Sequence, residues 1–191
     1  MSELGLAEGQ NKEAWLRATI AAYESPLIRY TQRITGDLEV ARDVVQDAFF
    51  RLLEQPDWQA LRPAVKAWLY RVCRNRALDL KRKDRPMRSA SPEELEARSE
   101  QAPGDRPTDP ASAVETRQSG QLLRELVSTL PDKQREVVKL KFEQDLSYRE
   151  IAEVTGHSVG NVGYLLHHGL RTLRKRLARP ALAVAFEGRT S

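Results

Sequence analysis

Residues 147–177 read SYREIAEVTGHSVGNVGYLLHHGLRTLRKRL, and this stretch decides the fold of the C-terminal half of the chain. Ser147 and Glu150 have the spacing of a capping box at the start of a helix. Gly156 is suited to end that helix, and Ser158 is suited to cap the next one. Apolar residues recur at helical spacing on both sides of the glycine. A short helix, a tight turn and a longer helix form a helix-turn-helix pattern, and a plain antiparallel helix pair is the alternative.

The second helix of this pair, expected to run to about Leu177, has an outward stripe that suits a DNA groove. The stripe comprises Gly160, Tyr164, His167, His168, Arg171 and Lys175. Residues near the N-terminus of such a helix reach base edges, and basic residues further along reach phosphates. Ser158 and the helix N-terminus can hold a further phosphate. No cysteine accompanies these histidines, and adjacent histidines diverge on a helix, so we expect no metal ion here.

The rest of the chain has helical periodicity in two blocks, without strand-like alternation or an internal repeat. The expected helices span 12–34 (kinked at Pro26), 37–54, 63–83, 116–129, 131–143, 147–155 and 158–177. Residues 1–11 are interpreted as a frayed tail, Gly36 separates the first two helices, and Pro180 is expected to stop the last one. The expected fold class is therefore all-α, with two small domains of three and four helices.

The segment between the two blocks has the composition of a flexible linker. Residues 86–114 contain five of the ten prolines. Residues 89–115 contain seven acidic and two basic residues, although the whole chain has a net charge of +4. Such a segment is too polar to bury a core. We therefore expect domains at 12–85 and 116–178, joined by a flexible acidic linker at 86–115.

The helix expected over 37–54 has an acidic outward face that carries one large aromatic residue. Its core stripe starts at Leu38 and ends at Leu52, and the opposite face holds Glu39, Asp43, Gln46, Asp47, Phe50 and Glu54. A large aromatic on such a face is more often an interface anchor than an accident. We interpret this face as a docking surface for a basic protein partner. The alternative is a Phe50 that is covered locally, for example by the N-terminal tail.

The helix expected over 63–83 has a basic outward face, which holds Tyr70, Arg71, Arg74, Lys81 and Arg82. Basic residues beside an aromatic ring suit a phosphate backbone with stacked bases. The preceding segment QPDWQALR, residues 55–62, places Trp58 and Gln59 in an expected loop, and such loops read unpaired bases. The alternative is a solvated helix with Trp58 in the core.

Composition and motifs argue against most other classes of protein. The sequence pI of about 9.3 favours an anionic partner such as nucleic acid. The single cysteine, Cys73, lies in an apolar stripe and is expected to be a buried small hydrophobe. We expect no signal peptide and no membrane insertion, and hence a cytoplasmic protein. Without a glycine-rich phosphate loop or a Ser-His-Asp set, we expect neither an enzyme nor a bound cofactor.

Three stretches, in this order, resemble the extracytoplasmic-function group of bacterial RNA polymerase sigma factors, which have only the second and fourth sigma domains. ARDVVQDAFFRLLE (41–54) resembles the helix that docks on the polymerase clamp. AWLYRVCRNRALDLKRK (67–83) resembles the helix that engages and opens the promoter −10 element. LPDKQREVVKLKFEQDLSYREIAEVTG (130–156), followed by a recognition helix, resembles the −35-binding domain. The resemblance covers about residues 12–178.

The resemblance implies roles for the faces described above. Polymerase contacts would come from Asp43, Gln46, Asp47, Phe50 and Glu54, and contacts with the flipped −10 bases from Trp58 and Gln59. Strand opening would be supported by Tyr70, Arg71, Arg74, Asn75 and Lys81. The −35 contacts would come from the stripe of the last helix together with Ser158, Asn161 and Gly163. The implied partners are core RNA polymerase, promoter DNA and an anti-sigma factor, and neither ATP nor a metal is implied.

The last helix departs from the family pattern. Asn161, Gly163, Tyr164 and Leu165 stand where the family usually has Thr, a basic residue, Ser and Arg, and His168 stands where a further Arg is frequent. The −35 sequence therefore cannot be carried over. Two other functions use some of the same features: a helix-turn-helix regulator with an N-terminal sensing domain, and a sigma-like decoy that sequesters an anti-sigma factor.

Overall fold

The computed structural model describes the backbone of residues 3–84 and 122–187, and the side chains of residues 11–83 and 122–178. These residues fall into two compact units, one on each side of the segment 85–121. Both units are helical, and no strand occurs within the described ranges, which confirms the all-α prediction. The expected linker and residues 116–121 of the expected fourth helix lie outside the described residues.

The N-terminal unit is built from three long helices and one short helix. They are α1 (Glu3–Thr35), α2 (Leu38–Leu53), α3 (Trp58–Leu61) and α4 (Val65–Asp84), with a 3₁₀ turn at Arg62–Ala64 before α4. Each long helix packs against the other two. The shared core includes Leu27, Tyr30, Val44, Val45, Ala48, Leu52, Leu69, Tyr70, Cys73 and Ala77.

The turn between α1 and α2 follows the local signals of the sequence. Gly36 has a φ of 78°, a left-handed conformation in which a side chain would be strained. Asp37 caps α2, and its Oδ1 accepts a hydrogen bond from the Val40 N–H at 3.0 Å. The cap and the glycine together set where α2 starts.

Three expectations for the N-terminal unit are wrong. First, α1 begins at Glu3 rather than at 12. Secondly, residues 55–62 do not form an open loop, because they include α3 and part of the 3₁₀ turn. Thirdly, Leu38 is 38% exposed at the start of α2 and does not belong to the core stripe.

The described residues of the C-terminal unit, 122–187, form four helices. They are α5 (122–128 in the described residues), α6 (Asp132–Phe142), α7 (Tyr148–Thr155) and α8 (Val159–Glu187). The capping box at the start of α7 is present, since the Ser147 N–H donates to Glu150 Oε2 and the Glu150 N–H donates to Ser147 Oγ. Gly156 ends α7 with a φ of 73°. The helix-turn-helix predicted from residues 147–177 is therefore formed.

Helix α8 packs against both α6 and α7. Val162, Leu166 and Leu173 are buried along its inner side, as expected, whereas Leu177 is exposed. The expectation that Pro180 stops the helix is wrong, because α8 continues to Glu187. A proline inside a helix removes one backbone hydrogen bond, and this loss did not end the helix here.

Candidate nucleic-acid and protein interfaces

The outward face of α2 holds the acidic residues and the aromatic residue that the sequence singled out. Asp43, Gln46, Asp47 and Glu54 are exposed, and Phe50 is 55% exposed. Ala48 and Leu52 are buried on one side of α2, and Phe50 lies on the opposite side of the same turns. The large aromatic residue is therefore displayed to solvent by a well-packed helix.

Phe50 lies at a groove between α1 and α2. The groove has a volume of about 440 Å³ and is lined by Leu16, Ile20, Glu24, Ile28, Arg42, Val45, Gln46, Phe49, Phe50 and Leu53. Most of these side chains are apolar, and Leu53 and Ile20 are exposed like Phe50. An apolar groove beside acidic residues has the chemistry of a docking site for a partner with apolar and basic residues.

Basic residues are displayed along the length of α4. Arg71, Asn75 and Lys81 are exposed and Arg74 is half-buried. Lys81, Arg82 and Lys83 occupy the last turn, where cations are favoured by the helix dipole. This surface can bind phosphates through charge, which needs no fixed base sequence.

The recognition stripe of α8 is displayed as the sequence predicts. Ser158, Gly160, Asn161, His167, Arg171 and Lys175 are exposed, and Gly163 and His168 are half-buried. Tyr164 is 59% exposed, and its ring lies 4.1 Å from the His168 ring. Ser158 Oγ accepts a hydrogen bond from the Asn161 N–H at 3.2 Å and so caps the helix. The N-terminal turns of α8 thus expose the side-chain amide of Asn161 and the ring of Tyr164, and the neighbouring Gly160 and Gly163 add no side chain beside them.

Family models match both units. The model described as Sigma-70 region 2 matches residues 19–86, and that described as Sigma-70, region 4 matches residues 120–173. The ECF RNA polymerase sigma factor SigW of Bacillus subtilis (strain 168) is 32% identical over 161 residues, which are 81% of this chain and 84% of SigW. The chain belongs to the extracytoplasmic-function group of RNA polymerase sigma factors.

Further relatives and a solved structure agree with this family. The ECF RNA polymerase sigma factor SigL of Mycobacterium tuberculosis is 30% identical over 166 residues, covering 86% of this chain and 89% of SigL. The solved structure of CnrH in complex with the cytosolic domain of CnrY has a TM-score of 0.51 and 22% identity. It covers 86% of this sigma factor and 88% of CnrH, and supports the fold.

Two aromatic residues of this sigma factor do not lie where the sequence analysis placed them. Trp58 is only 8% exposed and packs on Trp15, with ring centroids 5.0 Å apart. Tyr70 is fully buried and meets Tyr30 edge to face at 5.1 Å. Neither ring is exposed in this structure, so the expected outward positions of Trp58 and Tyr70 are wrong. Trp58 takes the alternative position, in the core, while its neighbour Gln59 is exposed.

The reason for the Tyr70 error is the position of α4 between two other helices. A helix that packs on one neighbour buries one stripe, whereas α4 contacts both α1 and α2 and therefore buries a wider arc. Leu69 and Tyr70 are adjacent in sequence and both are fully buried. The sequence alone does not show how many helices pack against α4.

An ion pair joins two of the candidate surfaces within the N-terminal unit. Arg76 Nε of α4 lies 3.8 Å from Asp47 Oδ2 of α2. Both side chains are partly exposed, so the pair adds little to stability. It does link a proposed polymerase contact to the helix proposed to engage the −10 element.

Other functional features of the sequence have plain structural roles. Cys73 is buried, and this burial raises the pKa of its thiol to about 12, which suppresses the reactive thiolate. No cluster of three or more His, Cys, Asp or Glu suited to a metal occurs among the described residues. Within that part of the chain, no helix is long and apolar enough to cross a membrane.

Sequence reasoning missed contributions from α1 and from one glycine. Lys12, Trp15 and the groove residues Leu16 and Ile20 were given no role, although the helical spacing of Trp15, Leu16 and Ile20 signals an amphipathic face. Gly169 is buried where α8 crosses α6, and a Cβ added to it would lie 3.0 Å from Val138 Cγ2. A buried glycine at such a crossing permits close helix packing.

Proposed function

We propose that this sigma factor binds core RNA polymerase through α2, engages and helps to melt the promoter −10 element through α3 and α4, and binds the −35 element through α8. The domains would be 12–85 for polymerase binding and the −10 element, 86–115 as an acidic linker, and 116–178 for the −35 element. The observation that carries the proposal is the presence, in one sigma factor, of an apolar groove with an acidic face and an exposed recognition helix.

The polymerase contact is supported by the chemistry of the α2 face. Asp43, Gln46, Asp47 and Glu54 would meet basic and polar groups, and Phe50 would enter an apolar pocket of the clamp. Central aromatic anchors surrounded by polar contacts are typical of interface hot spots. The acidic residues would raise the rate of encounter with a basic clamp more than they raise the final affinity.

The −10 contact is supported by Gln59 and by the basic end of α4. Gln59 is exposed on α3, and Arg71, Asn75 and Lys81 are exposed on α4, with Arg74 half-buried beside them. The cations would hold the phosphate backbone, and Gln59 and Asn75 would bind base edges once the strands separate. Melting would be driven by trapping unpaired bases, so it requires no hydrolysis of ATP.

The −35 contact is supported by the α8 stripe. Asn161 and Tyr164 lie on the first turns, where a recognition helix meets base edges, and Asn pairs well with adenine N6 and N7. Gly160 and Gly163 leave the backbone near these residues uncrowded, while His167, His168, Arg171 and Lys175 continue the stripe toward phosphates. Ser158, at the helix N-terminus, would hold a phosphate.

The proposed mechanism also implies a class, a cellular location and a regulatory partner for this sigma factor. The polymerase performs the chemistry, so the sigma factor itself would not be an enzyme, and it would work in the cytoplasm, where polymerase and DNA are found. We also propose an anti-sigma factor as a partner, since CnrH, which shares the fold, is held in a complex by the cytosolic domain of CnrY. The α1–α2 groove offers such a regulator an apolar surface that it would share with polymerase.

The test separates the two DNA contacts. Reconstituted holoenzyme selects fragments from a random DNA pool, and the selected sequences are aligned for each variant. We expect Tyr164→Ala to change the base preference of the upstream element alone, and Asn75→Ala to change that of the downstream element alone. Lys133→Ala, an exposed basic residue of α6 outside the stripe, serves as the control and leaves both preferences unchanged.

Two results would contradict the proposal. In the first, the base preferences of both promoter elements change together in every variant, which would show that the two units do not recognise separate elements. In the second, the protein alone selects one inverted repeat without polymerase, which is the behaviour of a dimeric helix-turn-helix regulator.

A further inference from the structure

The N-terminal part of α1 holds the end of α2 in place. Lys12 Nζ donates hydrogen bonds to the carbonyl oxygens of Leu53, at 2.9 Å, and Gln55, at 3.1 Å. Carbonyl groups at the end of a helix lack partners within the helix, and a cation there also interacts favourably with the helix dipole. Lys12 therefore fixes the point at which the chain leaves α2 and turns toward α3.

A second contact from the same part of α1 anchors α3. The rings of Trp15 and Trp58 lie 5.0 Å apart at an angle of 34°, and Trp58 is nearly buried. Leu16, the next residue of α1, is also buried. Aromatic pairs at this separation contribute about 0.5–1.5 kcal/mol beyond the area that they bury. Lys12 thus holds the start of the segment 54–61, and Trp15 holds its middle.

The held segment displays Gln59. Asp57 Oδ1 accepts a hydrogen bond from the Ala60 N–H at 3.2 Å and starts the single turn of α3. A helix of four residues has little stability of its own, so its conformation depends on tertiary contacts. With Trp58 fixed against Trp15, the next residue along the turn, Gln59, faces solvent.

Lys12 and Trp15 also lie outside the segment that the region 2 model matches. That model matches residues 19–86, so both residues precede it. The contacts that hold the segment 54–61 are therefore supplied by residues of α1 that this model does not include.

We propose that Lys12 and Trp15 are positioning residues for promoter recognition: they hold the segment 54–61 so that Gln59 meets an unpaired base of the −10 element, without touching DNA themselves. This inference rests on the proposed function of that segment. Its consequence is that base preference in the −10 element depends on two residues of α1. A residue with a purely structural role would change stability and leave base preference unaltered.

The test uses promoter templates whose −10 element is already unpaired and is randomised at each position. Initiation by holoenzyme is measured for every base, and the ratio between the best and the worst base is the readout. We expect Lys12→Met and Trp15→Ala to lower this ratio at the same position as Gln59→Ala does, by about fivefold or more. Lys12→Arg and Trp15→Phe, which retain a cation and an aromatic ring, should keep most of the preference.

A matched control comes from the same helix. Arg17 forms an exposed ion pair with Glu13 at 2.5 Å, one turn beyond Lys12, and Arg17→Met removes a cation without touching the segment 54–61. We expect Arg17→Met to keep the ratio unchanged. Thermal unfolding and core binding are measured for all variants, to establish that each one is folded and bound to core polymerase. If Trp15→Ala is unfolded, Lys12→Met decides the matter.

The outcomes separate the inference from the function on which it rests. If Gln59→Ala flattens the base preference but Lys12→Met behaves as the unaltered chain, while Trp15→Ala only lowers the melting temperature, the positioning role is wrong and the −10 role of Gln59 stands. If Gln59→Ala has no effect on base preference, the proposed role of the segment is wrong and the inference falls with it.

Discussion

Replacing Phe50 with alanine removes the large exposed ring from the groove between α1 and α2. The fold leaves 55% of Phe50 exposed to solvent, so this fraction is available for burial against a partner. A phenylalanine side chain offers roughly 200 Å² of surface, which leaves about 110 Å² to bury on docking. At about 25 cal/mol per Å², the loss corresponds to about 2.7 kcal/mol, or about 100-fold in the dissociation constant.

Phe50→Ala also removes the contacts of the buried part of the ring, so the control variant must lose a similar amount of stability. Leu38→Ala supplies it, because Leu38 lies on the same helix, is 38% exposed and is absent from the groove lining. Both changes should lower the unfolding free energy by about 1–2 kcal/mol, a common loss for a partly buried apolar side chain. Only Phe50→Ala should weaken polymerase binding.

The assay is titration of the fluorescently labelled sigma factor with purified core polymerase, followed by anisotropy, together with urea unfolding of each variant. We expect the dissociation constant to rise about 100-fold for Phe50→Ala and to stay within about twofold for Leu38→Ala. Equal affinity of all three proteins would refute the docking role of the groove. Equal weakening by both variants would show that the loss follows from stability.

Three further predictions concern the C-terminal unit and the core. Gly169→Ala should lower the unfolding free energy by about 1–3 kcal/mol, because the added Cβ would lie 3.0 Å from the buried Val138. Gly160→Ala, whose added Cβ has nothing within 4 Å, should raise the unfolding free energy by up to about 1 kcal/mol in the same urea unfolding assay. A gain in stability at both positions would contradict the close packing of α8 on α6. Arg171→Gln should reduce the slope of log affinity against log salt concentration by about 0.9 if Arg171 neutralises one phosphate, and an unchanged slope would remove it from the interface. Burial raises the pKa of the Cys73 thiol from its ordinary value of 9.0 to about 12, so between pH 9 and pH 12 the folded chain keeps a proton that the unfolded chain loses. The unfolding free energy should therefore fall as pH rises through this range, by up to about 1.4 kcal/mol per pH unit. Unfolding of Cys73→Ala at pH 8, 9 and 10 should lack this contribution, and identical pH dependence of the two proteins would contradict it.

Features determined by neighbouring residues could be read from the sequence. The capping box of Ser147 and Glu150 and the left-handed turn at Gly156 each depend on a few adjacent residues, and each is formed as predicted. The outward position of Phe50 also followed from helical periodicity, since the buried side of α2 is a single stripe. Local signals therefore gave the helix pair and two of the candidate surfaces.

Features that depend on distant residues could not be read in the same way. Trp58 is buried by Trp15, which is far away in sequence, and Tyr70 is buried because α4 has two neighbouring helices. Periodicity gives the direction of a side chain relative to its own helix and says nothing about how much of the helix is covered. The same limitation hid the role of Lys12, whose partners are the carbonyl groups of Leu53 and Gln55.

The most direct test of the proposed function is transcription by core polymerase with the purified sigma factor added, on fragmented chromosomal DNA of the source organism, with the start of every transcript mapped. We predict starts that depend on the added protein and share two upstream motifs at a constant spacing. Phe50→Ala should abolish these starts, and Leu38→Ala should retain them. An absence of protein-dependent starts, when core polymerase is active with another sigma factor, would contradict the proposal.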